Sequence, residues 1–269
     1  MTITKDHYPT IEPPKSTYLP HALRNNSRGI DLDKEALERF KIREICEGWG
    51  SYRDAAEWQN YLSMFFPDAY IITSWHTGSL DTFLQASKDA FARGPGFMYI
   101  LHRMLGCAVE TDEELTRAVC KMKVTITVRF NIDGVETDVD SDCRFFFFLE
   151  KREGRWGVVF FTLLFDKDRL VPVNPGRVLK VPEEEVERFP SGYRYLAWAE
   201  EKVGVNVRLD LDAHGPEKNA LYAKCKGWLE GEDVLVSVDG GNGHRFSKGI
   251  YRSICFDFAQ GIWSEASPT

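Results

Sequence analysis

The chain has 269 residues, 43% of them hydrophobic and 13% aromatic, and a formal net charge of −7. That content supports one large domain, or an ordinary domain with a substantial extension, while the acidic balance and the lack of a basic stripe speak against nucleic acid or an anionic membrane as partner. The opening run MTITKDHYPTIEPPKSTYLP has no signal-peptide core and no stretch reaches the length of a membrane span, so a cytoplasmic location without membrane contact is expected.

Residues 1–30 contain four prolines and no helix or strand periodicity, and read as an extended arm. Asp31 or Asp33 can cap a helix, DKEALERFKIREICEGWG, in which Ile42, Ile45, Cys46 and Trp49 recur at helical spacing and Gly50 gives a stop. A second short helix, DAAEWQNYLSMFF, ends at Pro67-Asp68, and a brief strand, AYIITSW, leads to His76-Thr77-Gly78-Ser79. Ser79 can cap a third helix, LDTFLQASKDAFARG, with Leu80, Phe83, Leu84 and Phe91 as its buried stripe. After Gly94-Pro95-Gly96, the run FMYILHRMLGCAVE reads as a strand.

From Leu115 to Lys167 three long runs rich in Val, Ile, Thr and Phe are punctuated by Ile132-Asp133-Gly134 and Glu153-Gly154-Arg155, the pattern of an antiparallel meander. In the middle strand a period of two puts Asp138, Asp140, Asp142 and Arg144 on one face. Phe145 to Phe148 and Val158 to Phe165 do not alternate, so these strands need cover on both faces. Helices followed by long strands predict an α+β fold, with N-terminal helices on a curved, cone-shaped antiparallel sheet and a pocket at its open end. The body spans residues 31–170 and an extension spans 171–269. The extension holds helical pieces divided at Pro190-Ser191-Gly192, a helix starting near Pro216 with Leu221, Cys225, Trp228 and Leu229 at helical spacing, and a hairpin made of VLVSV, the turn DGGNG and GIYRSICFDF. Its helices are expected on the outer face of the sheet; otherwise that face would be the interface of a homodimer.

The six cysteines, at 46, 107, 120, 143, 225 and 255, have no CxxC spacing and read as reduced buried thiols. Asp210, Asp212 and His214 alternate like metal ligands but lack a fourth partner, and a polar loop explains them better. Gly240, Gly241 and Gly243 are followed by no Lys-Ser or Lys-Thr pair and read as a turn, not a phosphate loop.

Residues 38–167 resemble the SnoaL-like polyketide cyclases and scytalone dehydratase, of the nuclear transport factor 2-like (cystatin-like) superfamily. The resemblance rests on the first helix running into SYRDAAEWQNYLSMFFPDAYI, on the helix LDTFLQASKDAFA, on ILHRMLG and on FFFFLEKREGRWGVVFF. It implies a pocket that binds a small-molecule substrate and performs general acid/base steps with no metal or nucleotide cofactor. His102 falls on the dehydratase's catalytic histidine, and an imidazole suits a proton shuttle near neutrality. Asp140 falls on its second histidine, and Asp142 lies close to the catalytic aspartate of the cyclases. Either carboxylate, in an apolar pocket, could act as acid or base; the bland alternative is a solvated strand face. Tyr52 and Asp54 match a dehydratase pair with one residue inserted. Asp54 could orient His102 or cap the following helix, and the sequence favours the cap. Arg144, His76, Trp75 and Phe146 are the candidates to hold substrate. The expected function is a dehydratase, cyclase or isomerase acting on a polyketide- or terpenoid-like metabolite. The alternative is a non-catalytic binding or dimer-forming adaptor of the same fold.

Overall fold

The first helix runs through the glycine expected to stop it. In the computed structural model, which describes residues 32–94, 99–211 and 216–236 and the short strands 244–246, 254–257 and 262–265, α1 spans Leu32–Asp54. Gly50 is a point of close approach: a Cβ there would lie 3.0 Å from the Met104 side chain and 3.2 Å from the backbone oxygen of His102. The bare backbone lets α1 press on the strand beneath it and carries the helix one turn further, to Asp54.

Next come α2 (Trp58–Ser63), β1 (Phe65–Ile72), β2 (Thr77–Ser79) and α3 (Leu80–Ala92). Phe65 and Phe66, expected at the end of a helix, begin β1 instead, where Phe65 pairs with Val158; tertiary pairing overrides local propensity here. Ser79 caps α3, its hydroxyl accepting from the Thr82 amide. The long strands are β3 (Tyr99–Thr111), β4 (Arg117–Ile132), β5 (Val135–Arg152) and β6 (Arg155–Pro172). Their order in a curved six-stranded sheet is β2-β1-β6-β5-β4-β3, with β1 parallel to β6 and every other pair antiparallel. Asp133-Gly134 and Glu153-Gly154 all have positive φ, as two-residue hairpin turns matched to sheet twist require.

The two faces of β5 have different fates. Val139, Cys143, Phe145 and Phe147 enter the inner core with Trp49, Tyr61, Phe83 and Phe161. Phe146 and Phe148 point outward into a second cluster with Val119, Phe160 and Leu164. The extension covers this outer cluster with α6 (Pro216–Leu229), through Leu221, Cys225, Trp228 and Leu229. Trp228 Nε1 donates to the backbone oxygens of Ala118 (3.2 Å) and Leu149 (3.3 Å), and the Arg117 guanidinium stacks 4.1 Å from the Trp228 ring. The cover that the Phe-rich strands require therefore comes from within the chain.

Expectation and structure part at the other half of the extension. After α4 (Glu183–Val186), α5 (Arg194–Lys202) joins the inner core, not the outer face, with Val186, Phe189, Leu196, Ala197 and Trp198 packed beside Trp49 and Phe145. Five consecutive residues of α5, Leu196 to Glu200, are buried, as in a helix enclosed on most sides. Asp168 of β6 anchors it by accepting from the Leu196 amide at 2.8 Å, in the first turn where helix N–H groups lack partners.

Beyond α6, β7 (Val234–Val236) pairs with β8 (His244–Phe246), and β9 (Ile254–Asp257) with β10 (Ile262–Glu265). The turn DGGNG with its three glycines, and Asp212 and His214, lie outside the described residues; Asp210 pairs with Arg208. Cys46, Cys107, Cys120, Cys143 and Cys225 are free thiols. Among the described residues no helix is long and apolar enough to cross a membrane.

Candidate active site

Two elements meet at the end of α1. The Asp54 carboxylate accepts from the backbone amide of His102 at 2.6 Å and lies 2.7 Å from His102 Nδ1. Both oxygens are thus committed to one residue of β3, and the pair fixes ring position and tautomer together: with a carboxylate at Nδ1, that nitrogen carries the proton. Burial pushes the His102 pKa below its usual value and the nearby Arg53 charge adds to this, outweighing the opposing effect of Asp54. The ring is therefore neutral at pH 7. Its Nε2 keeps a lone pair and has no hydrogen-bond partner among the described residues.

His102 lines a small, partly open cavity of about 40 Å³ walled by Trp49, Trp75, Phe83, Ile100, Phe145 and Leu163. On the far side of the dyad, Asp54, His102, Gly50 and Met104 border an open cleft of about 500 Å³. Two further ionisable groups line the cavity, and sequence reasoning missed both. Arg53 is 2% exposed, sits 5.8–6.0 Å from the ring centres of Trp75, Phe83 and Phe91, and has a buried Nη1 with no hydrogen-bond partner. Burial lowers its pKa. Glu200, from α5, is 3% exposed; Ser74 Oγ donates to its Oε1 at 3.2 Å, while Oε2 is buried without a partner. Burial pushes its pKa up to about 8, against a small opposing effect of the Ser74 hydrogen bond. The sequence signal for Arg53 is its place beside Asp54; Glu200 gives none, because beside Glu201 and Lys202 it reads as an ordinary surface charge.

A family model described as a SnoaL-like domain matches residues 34–162. A PEP2-like protein of Fusarium vanettenii is 43% identical over 226 residues, covering 80% of this chain and 94% of its own. The chain belongs to the SnoaL-like family, among the PEP2-like proteins. Pea pathogenicity protein 2 of Fusarium vanettenii is 41% identical over 225 residues, again 80% and 94% of the two chains. Among solved structures, a hexachlorocyclohexane dehydrochlorinase, LinA-type3, of Novosphingobium barchaimii LL02 is 15% identical, covering 57% of this chain and 100% of that one with a TM-score of 0.43. The alignments with the PEP2-like relatives run well past the SnoaL-like domain match, so the relatives share much of the sequence outside it.

In this SnoaL-like chain the sequence-predicted site divides by strand parity. His102 pairs with Ile126 and Ile126 with Ser141, whereas Asp140 pairs with Thr127. Asp140 and Asp142 therefore share the face opposite to His102, since neighbours along a strand point to opposite sides. The placement of either acid in a common hollow with His102 is corrected accordingly. Asp140 binds Thr127 (2.6 Å) and Arg169 (2.9 Å) on the outer face. Asp142 accepts from Thr125 at 2.7 Å beside Lys167. Arg144 and Phe146 belong to that face too: Arg144 holds Asp166 with two bonds and donates to the Tyr222 hydroxyl of α6 at 3.1 Å, and Phe146 packs edge-on to the Tyr222 ring. Both dock the extension and neither reaches the cavity.

Tyr52 leans over Gly48 toward Met64 and does not line the cavity. His76, half-buried, lies 3.3 Å from the Thr82 hydroxyl and edge-on to Phe83, outside the lining, with its pKa lowered by burial. Trp75 does form a wall. Asp54 orients His102 and is not the cap of α2, whose N-cap is Glu57, without a side-chain cap bond.

Proposed function

We propose that this protein is a cofactor-independent lyase or isomerase in which His102 Nε2 is the general base and Asp54 its positioning residue. The single observation carrying this reading is the neutral imidazole, held at Nδ1 by Asp54, on the wall of a small aromatic-lined cavity. Such a base takes a proton from a carbon next to a carbonyl. The C–H electron pair moves to the carbonyl oxygen as an enolate, which then expels a β-leaving group or is reprotonated at another carbon by the imidazolium. The electrons balance within the substrate, and the proton leaves on the departing group or returns. The aromatic walls suit a polyketide- or terpenoid-like small molecule.

The test uses a panel of enolisable polyketide-like ketones in deuterated water, read by mass spectrometry for deuterium uptake or loss of water. His102→Gln should lower the rate by about a hundredfold or more, and Asp54→Asn, which disturbs the tautomer, by at least about tenfold. Turnover by His102→Gln equal to that of the parent protein would remove the assignment.

One observation favours a second reading, a non-catalytic binding module: the cavity holds about 40 Å³, far below the ~300 Å³ at which substrate pockets begin. Under that reading a bound ketone is recovered unchanged, with no deuterium.

A further inference from the structure

Three residues that line the cavity carry a buried polar atom that the protein leaves unmatched: Trp49 Nε1, Arg53 Nη1 and Glu200 Oε2, the last two on ionisable groups. Buried polar groups nearly always have partners, and leaving one without costs as much as a lost hydrogen bond. Two ionisable groups so placed on one small cavity ask for a shared explanation, and Arg53 and Glu200 are those two. They do not satisfy each other: among the described residues neither forms an ion pair, and the influences on the Glu200 carboxyl are its burial and Ser74 alone. Their elements differ as well, since Arg53 comes from the SnoaL-like body and Glu200 from the extension.

We propose that Arg53 and Glu200 form a two-donor seat for ligand oxygen, so that the ligand presents a carboxylate or a carbonyl with a neighbouring oxygen, and that the extension completes the site by supplying Glu200. The guanidinium contributes its unpartnered N–H. The carboxyl, accepting from Ser74 through Oε1, carries its proton on Oε2 and donates it to the ligand. With burial holding its pKa near 8, it keeps that proton at neutral pH. Beside these donors His102 Nε2 is the acceptor, and on the reading of His102 as base it faces the C–H to be broken. The cavity accommodates roughly three water-sized positions, the size of a carboxylate or an acyl head; the remainder of a larger ligand needs the cleft beyond the dyad.

The extension is fastened over the seat at several points. The Arg208 amide donates to the Ser74 backbone oxygen at 2.9 Å, the Arg208 side chain binds the Thr77 hydroxyl, and Tyr193 donates from its hydroxyl to the Arg208 backbone oxygen at 2.9 Å. Ser74, the partner of Glu200, is thus held by the segment that follows α5.

The probe is acetate, titrated into the full-length protein and followed by saturation transfer to its methyl group. The parent protein should bind with a Kd of about 1–10 mM, ordinary for so few atoms. Arg53→Lys, which keeps the charge and loses the fork, should weaken binding about tenfold. Glu200→Gln, which keeps a donor, should stay within about threefold, and Glu200→Ala should lose about tenfold. The ionisable groups around Glu200 are Arg53, His102, Tyr193 and, at the base of α5, Asp168, whose pKa of about 6 leaves it charged well below pH 8. Binding to the parent should therefore weaken as pH rises through about 8, and in Glu200→Gln that loss should vanish. Melting curves of each variant establish that it is folded.

Absence of acetate binding by the parent protein, or a tenfold gain in Glu200→Gln, which would mean that Glu200 is charged and repels the anion, would overturn the proposal. The outcome is separable from the catalytic reading: His102→Gln should still bind acetate within about threefold, because both donors remain.

Discussion

A single carboxyl tests the electrostatics of the cavity without any knowledge of the substrate. Glu200 has an ordinary pKa of 4.5 raised to about 8 by burial. The folded state therefore holds a proton that the unfolded chain releases between those values, and stability falls as pH climbs from 4.5 to about 8. The shift is worth roughly 5 kcal/mol at most. Glu200→Gln imitates the neutral acid, so it should match the parent protein at pH 4.5 and exceed it at pH 8, by as much as about 10 °C in Tm. Equal melting temperatures at both pH values would show that Glu200 is not buried as a neutral acid. The same scale offers a contrast. Asp140 lies on the outer face with Thr127 and Arg169, so Asp140→Asn should change turnover less than about threefold and stability by no more than about 1 kcal/mol. A hundredfold loss of activity would place Asp140 in the site and reverse the strand parity described above.

Among the elements, the long strands and the helices around the core were legible in the residues. Asp133-Gly134 and Glu153-Gly154 announced the hairpins, and Ser79 announced α3, because turn and cap chemistry is local. The unbroken runs through Phe146 and Phe160 correctly demanded two covers. The alternation in β5 correctly gathered Asp138, Asp140, Asp142 and Arg144 on one face, but it could not say which face. That choice depends on pairing with β3 and β4, and a shift of one residue exchanges inside for outside. His102 and Asp54 were nameable, and their contact was one of two roles open to Asp54, but preferring it to the cap required α1 to outrun Gly50. Glu200 was out of reach because the resemblance stops before the extension, and nothing local reveals that α5 enters the cone while α6 stays outside. For α6 the structure makes a sharp demand: Trp228 is 1% exposed, holds two backbone oxygens and stacks on Arg117. Trp228→Ala should lower stability by about 3–5 kcal/mol, measured by urea unfolding, and leave the environment of His102 unchanged. A loss below 1 kcal/mol would mean that α6 does not seal the outer face.

Across the whole molecule, the extension is a working part of the body. It covers Phe146 and Phe148 outside with α6 and fills the inner core with Leu196 and Trp198 from α5. A chain ending at residue 174 should therefore aggregate, since both faces of β5 and β6 would lose apolar cover; a soluble, monomeric fragment seen by size-exclusion chromatography would refute this. Body and extension converge on the cavity, where His102 is the group on which the proposed chemistry turns. The most direct measurement is nitrogen NMR of its ring in the full-length protein at pH 7. The account predicts a neutral imidazole with the proton on Nδ1, a bare Nε2 and a pKa below 6.5, and in Asp54→Asn a loss of the single tautomer. A His102 ring protonated on both nitrogens, or carrying its one proton on Nε2, would contradict it.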